Sequence, residues 1–174
     1  ILATSDGVYV TGLFNEAGGQ VVNHIARWDG SQWHALGAGL QPQADRYDAP
    51  GYALTHWNGD LYVSGSFEFA GGQAANKFAR WDGVQWSGLT TPGINPNPDG
   101  RVTSLVAGST GVLMSGFIGS VAGQPAHHVA LWTGSLWQTS AGQVGSKALP
   151  PASSIVVFEG KAHTHSGNGS LLRL

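Results

Sequence analysis

The chain has 174 residues, 41 % of them apolar, with eight Lys and Arg against ten Asp and Glu and a formal net charge of −2. Charged residues make up only 10 %, so there is neither a basic footprint for phosphates nor an acidic tail, and nucleic acid is not an expected partner. Cysteine is absent, which removes disulfides, thiolate zinc sites and a cysteine nucleophile, and no apolar run approaches the roughly 20 residues that span a bilayer.

Taken in chain order, Ile1-Leu2-Ala3 reads as the stub of a first strand, a, and the start at Ile1 without a Met reads as an internal piece of a longer polypeptide. Val8-Tyr9-Val10-Thr11 alternates β-branched and aromatic residues at period two, the mark of a strand, b. Ala17-Gly18-Gly19-Gln20 reads as a loop, and Ile25-Ala26-Arg27-Trp28 as a further strand, c. Asp29-Gly30 is a tight-hairpin signal, because the primed turns need positive φ, which Gly and Asp tolerate. It leads into a short strand, d, that carries Trp33.

The same order then returns. Tyr52–Trp57, Leu61–Ser64, the loop at 70–73, Phe78–Trp81, Asp82-Gly83 and Trp86 repeat it, followed by Val102–Val106, Val112–Ser115, the loop at 121–124, Val129–Trp132 and Trp137. The Trp-x-Gly-x-x-Trp segments at 28–33, 81–86 and 132–137 lie 53 and 51 residues apart, and sixteen of 25 positions are identical between 9–33 and 62–86. Duplication explains this. A fourth copy is truncated: Ser154–Phe158 and 160–166 match strands a and b, the Gly-Gly-Gln loop is lost, and 170–174 is a degenerate strand c. The expected fold is therefore all-β, a single repeat domain over 1–174 with blades at 1–40, 51–94 and 101–144 and a partial blade at 153–174. About 50 residues suit one four-stranded antiparallel sheet, which points to a β-propeller-like array of about three and a half blades, strand a innermost and d outermost, within a larger propeller. A solenoid is the main rival, disfavoured because no run suggests one-strand coils.

The order of strand, glycine, aromatic and Trp resembles kelch-type blades. It is similar, more closely, to the extracellular repeats of fungal cortical bud-site marker proteins and of large secreted bacterial surface proteins, carried here by Tyr62-Val63-Ser64-Gly65-Ser66-Phe67, Ala79-Arg80-Trp81-Asp82-Gly83 and Trp86. The double Gly departs from kelch by lying six residues beyond the strand. What the resemblance implies is a surface or adhesive scaffold, with no particular ligand.

Residues that carry chemistry are few. Trp28, Trp33, Trp81, Trp86, Trp132 and Trp137 suit stacking on sugar rings, but a residue recurring in every blade is more simply a packing device. Trp28, Trp81 and Trp132 are expected to be mostly buried, with at least two of Trp33, Trp86 and Trp137. Asp29 and Asp82 are similar to a sialidase Asp-box, which however has one more residue between Asp and Gly; the hairpin role with Gly30 and Gly83 suffices. Arg27 and Arg80, replaced by Leu131 in the third copy, read as making an Arg–Asp contact within each blade rather than as catalytic groups. His163 and His165 alternate on one strand and share a face, His127 and His128 are adjacent, and no third ligand is evident, so neither metal nor cofactor is expected. A copper site of the galactose-oxidase kind would need a Cys. No catalytic motif is present, Asn95–Gly100 lacks the calcium-loop ligand pattern, and Asn168-Gly169-Ser170 is a short glycosylation sequon.

The variable connections at 41–51, 90–101 and 143–153 hold seven of the eight prolines and several charges. Loops of this kind carry specificity on a rigid scaffold. Asp45, Arg46, Tyr47, Asp48, Asp99, Arg101 and Lys147 are the expected interaction residues, sharing a rim with the Gly-Gly-Gln loops. The resulting expectation is a non-enzymatic, extracellular or cell-surface scaffold whose partner is another protein or more of the same polypeptide. A glycan-binding propeller lectin is the alternative, and a non-catalytic module of a larger secreted enzyme comes third.

Overall fold

Alternating apolar residues broken by Asp-Gly, Gly-Gly and Asn-x turns leave the backbone one economical solution, short antiparallel strands joined by tight hairpins. The computed structural model describes residues 1–42, 48–89, 101–126 and 128–139, together with the backbone of strands at 154–158, 161–165 and 171–173. All regular elements among the described residues are strands, every pairing is antiparallel, and none of these residues forms a helix long and apolar enough to cross a membrane. The chain divides into two compact units, Ile1–Leu89 and Thr90–Leu174.

The first unit contains β1 (Leu2–Thr4), β2 (Gly7–Thr11), β3 (Glu16–Ala17), β4 (Gln20–Val21), β5 (Ile25–Trp28), β6 (Trp33–Ala35) and β7 (Leu40–Gln41). It continues with β8 (Gly51–Trp57), β9 (Asp60–Gly65), β10 (Phe69–Ala70), β11 (Gln73–Ala74), β12 (Phe78–Trp81) and β13 (Trp86–Gly88). Two four-stranded sheets result, ordered β1-β2-β5-β6 and β8-β9-β12-β13, each a meander in chain order. The loops expected at 17–20 and 70–73 are more than loops. Each is the tip of a small hairpin, β3–β4 or β10–β11, inserted between strands b and c.

The second unit repeats the path with β14 (Arg101–Ala107), β15 (Val112–Phe117), the hairpin β16 (Ser120–Val121) and β17 (Gln124–Pro125), then β18 (Val129–Trp132) and β19 (Trp137–Thr139). Its second sheet is three-stranded, β20 (Ser154–Phe158), β21 (Lys161–His165) and β22 (Leu171–Arg173), where the truncated fourth copy was expected. Strand a meets strand b through a register shift at the same relative place in two sheets, between Gly51 and Ala53 and between Val102 and Ser104, a β-bulge the alternation does not reveal.

Two turn types set the register. After strand c, Gly30, Gly83 and Gly134 take φ of 102°, 96° and 94°, while Asp29 and Asp82 stay out of the left-handed region. Of the Asp-Gly pair, which was expected to tolerate positive φ together, only the glycine takes it; the aspartate precedes it and works with its side chain. Asp29 Oδ1 accepts from the N–H groups of Ser31 and Gln32 at 2.8 and 2.9 Å, and Asp82 Oδ1 from those of Val84 and Gln85 at 2.9 and 2.8 Å. Thr133 serves in the third copy, its Oγ1 accepting from the Leu136 N–H at 3.2 Å. Before strand c, Asn23-His24 and Asn76-Lys77 adopt φ of 44°, 70°, 47° and 75°, a pair of left-handed residues as in a I′ turn.

The core of the first unit joins both sheets and the connection between them. Ile25, Leu36, Leu40, Leu61, Val63, Phe67 and Ala79 are at most 2 % exposed and pack with Trp81 and Trp86 in one cluster. Leu36 and Leu40 follow strand d and belong to none of the strands expected from periodicity.

Candidate functional site

A four-residue connection after strand c, the same length in each copy, sets the last residue of c opposite the first of d. The register therefore pairs Trp28 with Trp33, Trp81 with Trp86 and Trp132 with Trp137. The ring centroids are 5.5, 5.3 and 5.1 Å apart, inclined at 54°, 49° and 51°. Trp81 and Trp132 are buried as expected, with Trp86; Trp28, expected with them, is half-buried, and so are Trp33 and Trp137, so that one of the second set is buried where two were expected, while none of the six is exposed.

The Gly-Gly hairpins fold down onto the d-strand indoles. Gly18 and Gly71 both take φ of 59°, and a methyl group on either would lie 2.9 Å from Trp33 Cδ1 or 2.7 Å from Trp86 Cδ1. Glycine is thus favoured twice over at these two positions, by backbone sign and by the indole beneath. In the third copy Ala122 takes the position with φ of 52°.

What covers the second Trp pair is the segment 36–41. Its strand β7 pairs with β10, Leu40 opposite Ala70 and Gln41 opposite Phe69, converting the hairpin into a three-stranded sheet. The Gly71 N–H donates to Gly39 O at 2.8 Å, the Glu68 N–H to Gln41 O at 3.0 Å, the Gly72 N–H to Gln41 Oε1 at 3.0 Å, and Trp86 Nε1 to Leu36 O at 2.7 Å. On its other side the Leu40 N–H donates to Asn23 O at 2.9 Å.

At the matching place on the first sheet, no segment of the described residues takes the part of 36–41. Val10, Phe14, Glu16, Ala17 and Trp33 line a groove of about 260 Å³ beside the two-stranded hairpin β3–β4. Their counterparts 53 residues on include Val63, Phe67, Ala70 and Trp86, all buried, whereas Val10, Phe14, Ala17 and Trp33 are half-buried.

The charged groups form local structural pairs. Arg27 donates to the Asp6 carbonyl at 2.5 Å and lies 3.6 Å from its carboxylate, while Arg80 Nε donates to Asp60 Oδ2 at 2.6 Å. An Arg–Asp contact within each of the first two sheets was expected, but the acids are those of the a–b turn and the start of strand b, not Asp29 and Asp82. Arg27 and Arg80 sit mid-strand, opposite Tyr9 and Tyr62 on strand b, which carries them toward that end of the sheet. Thr4 and then Tyr9 donate to the Asp6 carboxylate and hold its pKa down, while burial and that same bond push the Tyr9 hydroxyl up to about 12. His34 Nε2 lies 2.5 Å from Asp29 Oδ2. That contact, with the Gln32 and Ser31 N–H groups, keeps Asp29 well below the usual carboxylate range. Asp82, with backbone partners from Gln85 and Val84, is also lowered.

Of the expected interaction residues, Asp48 is exposed on the approach to β8 and Arg101 is exposed at the start of β14. Asp45, Arg46, Tyr47, Asp99 and Lys147 lie outside the described residues, as does His127. His163 and His165 alternate on β21, opposite Val156 and Ser154. Among the described residues no group of three or more His, Cys, Asp or Glu converges as a metal site. The ends of the first connection belong to the scaffold: Gln41 is paired, and Ala49 and Pro50 are buried. The groove and its cover escaped the sequence reading, although the Leu-x-x-x-Leu spacing at 36 and 40 just before a polar connection is a visible trace of them. No family model, no curated protein and no solved structure matches the chain.

Proposed function

We propose that this chain is a section of a β-propeller-like repeat array that serves as a non-enzymatic, extracellular or cell-surface scaffold, binding protein partners through its variable connections. The observation that carries this reading is the burial of Trp81, Trp86 and Trp132: the recurring indoles are spent on packing rather than displayed as a row of sugar-stacking shelves. Short hairpins locked by side-chain turn caps make a rigid frame, and the proline-containing connections are where sequence varies most between copies. Propeller architecture is supported by the common meander of three four-stranded sheets.

The half-buried Trp28–Trp33 pair beside an open groove favours the lectin as the second reading. Carboxyl- and amine-reactive crosslinking of the native, full polypeptide at the cell surface separates them. Under the scaffold reading, intermolecular protein crosslinks fall at Asp45, Asp48, Asp99 and Lys147, and replacing 43–48 by a Gly-Ser turn removes those of the first connection while folding persists. Crosslinks confined elsewhere, with saturable binding of simple glycosides at Trp33, would assign the surface to sugar. The replacement stops at 43–48 because Gln41 and Ala49 are structural.

A further inference from the structure

We infer that the groove on the first sheet is an acceptor site for a peptide of Leu-Gly-x-Gly-Leu-Gln chemistry, a glycine turn running into a two-residue strand that enters beside β3 as the third strand of its hairpin. This does not rest on the role of the connections. The molecule itself holds the occupied form of the same site, 53 residues on, where Leu36–Gln41 fills it. There, four N–H donors engage the incoming strand: Glu68, Gly71, Gly72 and Trp86 Nε1. Their counterparts are Asn15, Gly18, Gly19 and Trp33 Nε1, and these have no acceptor among the described residues.

The backbone is already shaped for the bond. Gly18 and Gly71 share φ of 59°, Gly19 and Gly72 share 79°, and the Asn23-His24 turn that positions the hairpin matches Asn76-Lys77. The apolar floor matches too, since Val10, Phe14, Ala17 and Trp33 stand where Val63, Phe67, Ala70 and Trp86 receive Leu36 and Leu40. An incoming peptide therefore gains main-chain hydrogen bonds where its short strand meets the hairpin edge and apolar contacts for the leucines on either side of its glycine turn. Sugar would use the indole but leave the row of edge donors without a matching acceptor line. The site differs in Glu16 in place of Phe69, which sets an acid opposite the position of the strand's final glutamine, and in Asn15 in place of Glu68, where the donor is the backbone N–H in either case.

The experiment titrates a blocked synthetic peptide with the sequence of residues 35–42 into the isotopically labelled full chain, followed by two-dimensional NMR. Saturable shifts of the Asn15, Gly18 and Gly19 amides and of the Trp33 indole N–H are expected, with hydrogen exchange at those groups slowed. A peptide carrying Leu36→Asp and Leu40→Asp should bind at least about tenfold more weakly, because each change withdraws a leucine-sized apolar burial. The protein is unaltered in both arms, so misfolding of a variant cannot intervene. Absence of shifts at millimolar peptide would overturn the inference, as would shifts confined to Phe69–Gly72, which would mean simple competition with the resident strand. Concentration-dependent shifts of the four groups without peptide would assign the groove to a second copy, and a response to methyl glucoside alone would assign it to sugar; either result overturns the peptide strand.

Discussion

At Gly71 a single hydrogen atom separates a sound hairpin from a strained one. The residue needs positive φ and leaves no room above Trp86, whereas Gly72 next to it has positive φ of 79° and open space around it. Gly71→Ala should therefore cost about 2–3 kcal/mol, the left-handed penalty plus displacement of a buried indole, and Gly72→Ala only about 1 kcal/mol. Urea unfolding of the two variants checks the difference. Asp29 gives a second handle. Its folded-state pKa is lowered by His34 and two backbone N–H groups, so the stability it confers is present above the unfolded value of about 3.9 and is lost as pH falls below it. The unfolding midpoint should accordingly fall more steeply between about pH 5 and pH 2 in the wild type than in Asp29→Asn, which has no proton to take up there.

Among the elements, the two-residue strand β7 has an influence out of proportion to its length. It closes the core of the first unit and caps the indole of the next sheet, and Leu40 is 1 % exposed. Leu40→Ala should cost about 2–5 kcal/mol, in the range for emptying a buried leucine site. It should also accelerate hydrogen exchange at Trp86 Nε1, whose bond to Leu36 O depends on the same segment, more than at backbone amides in β9. Proton exchange followed by NMR reads both. Strand c was legible to the residue at Ile25–Trp28, Phe78–Trp81 and Val129–Trp132, because a period-two run ending in Trp and an Asp-Gly or Thr-Gly turn fixes type, end and register together. The hairpins β3–β4 and β10–β11, and β7 itself, were not. Two-residue strands are too short to show a period, and their pairing depends on a partner distant in sequence.

On the scale of the molecule, the described members of the buried cluster, from Tyr9 to Trp86, all belong to the unit of residues 1–89. A fragment of residues 1–89 should therefore fold cooperatively, with a single urea transition and protected amides at Val63 and Ala79; a fragment that remains unfolded would show that the unit draws its stability from the rest of the chain. The repeat in the sequence announced the meander because Gly, Trp and turn residues recur at fixed offsets. The groove itself is not written in the repeat, since Phe14 and Phe67 are the same residue in the same motif and differ in whether a strand from elsewhere lies over them; the trace at Leu36 and Leu40 belongs to the cover.

The paired indoles also make the fold an optical object. Each pair holds two strongly absorbing chromophores 5.1–5.5 Å apart at a mutual tilt near 50°, close enough for their excited states to mix. Strand pairs share one hand of twist, so the three exciton couplets are expected to carry the same sign and to add. Far-ultraviolet circular dichroism should then show a tryptophan couplet on top of the sheet signal. The amplitude counts hairpins whose two Trp residues stand opposite one another, so a slip of one residue in strand d extinguishes a third of it while leaving the strand content unchanged.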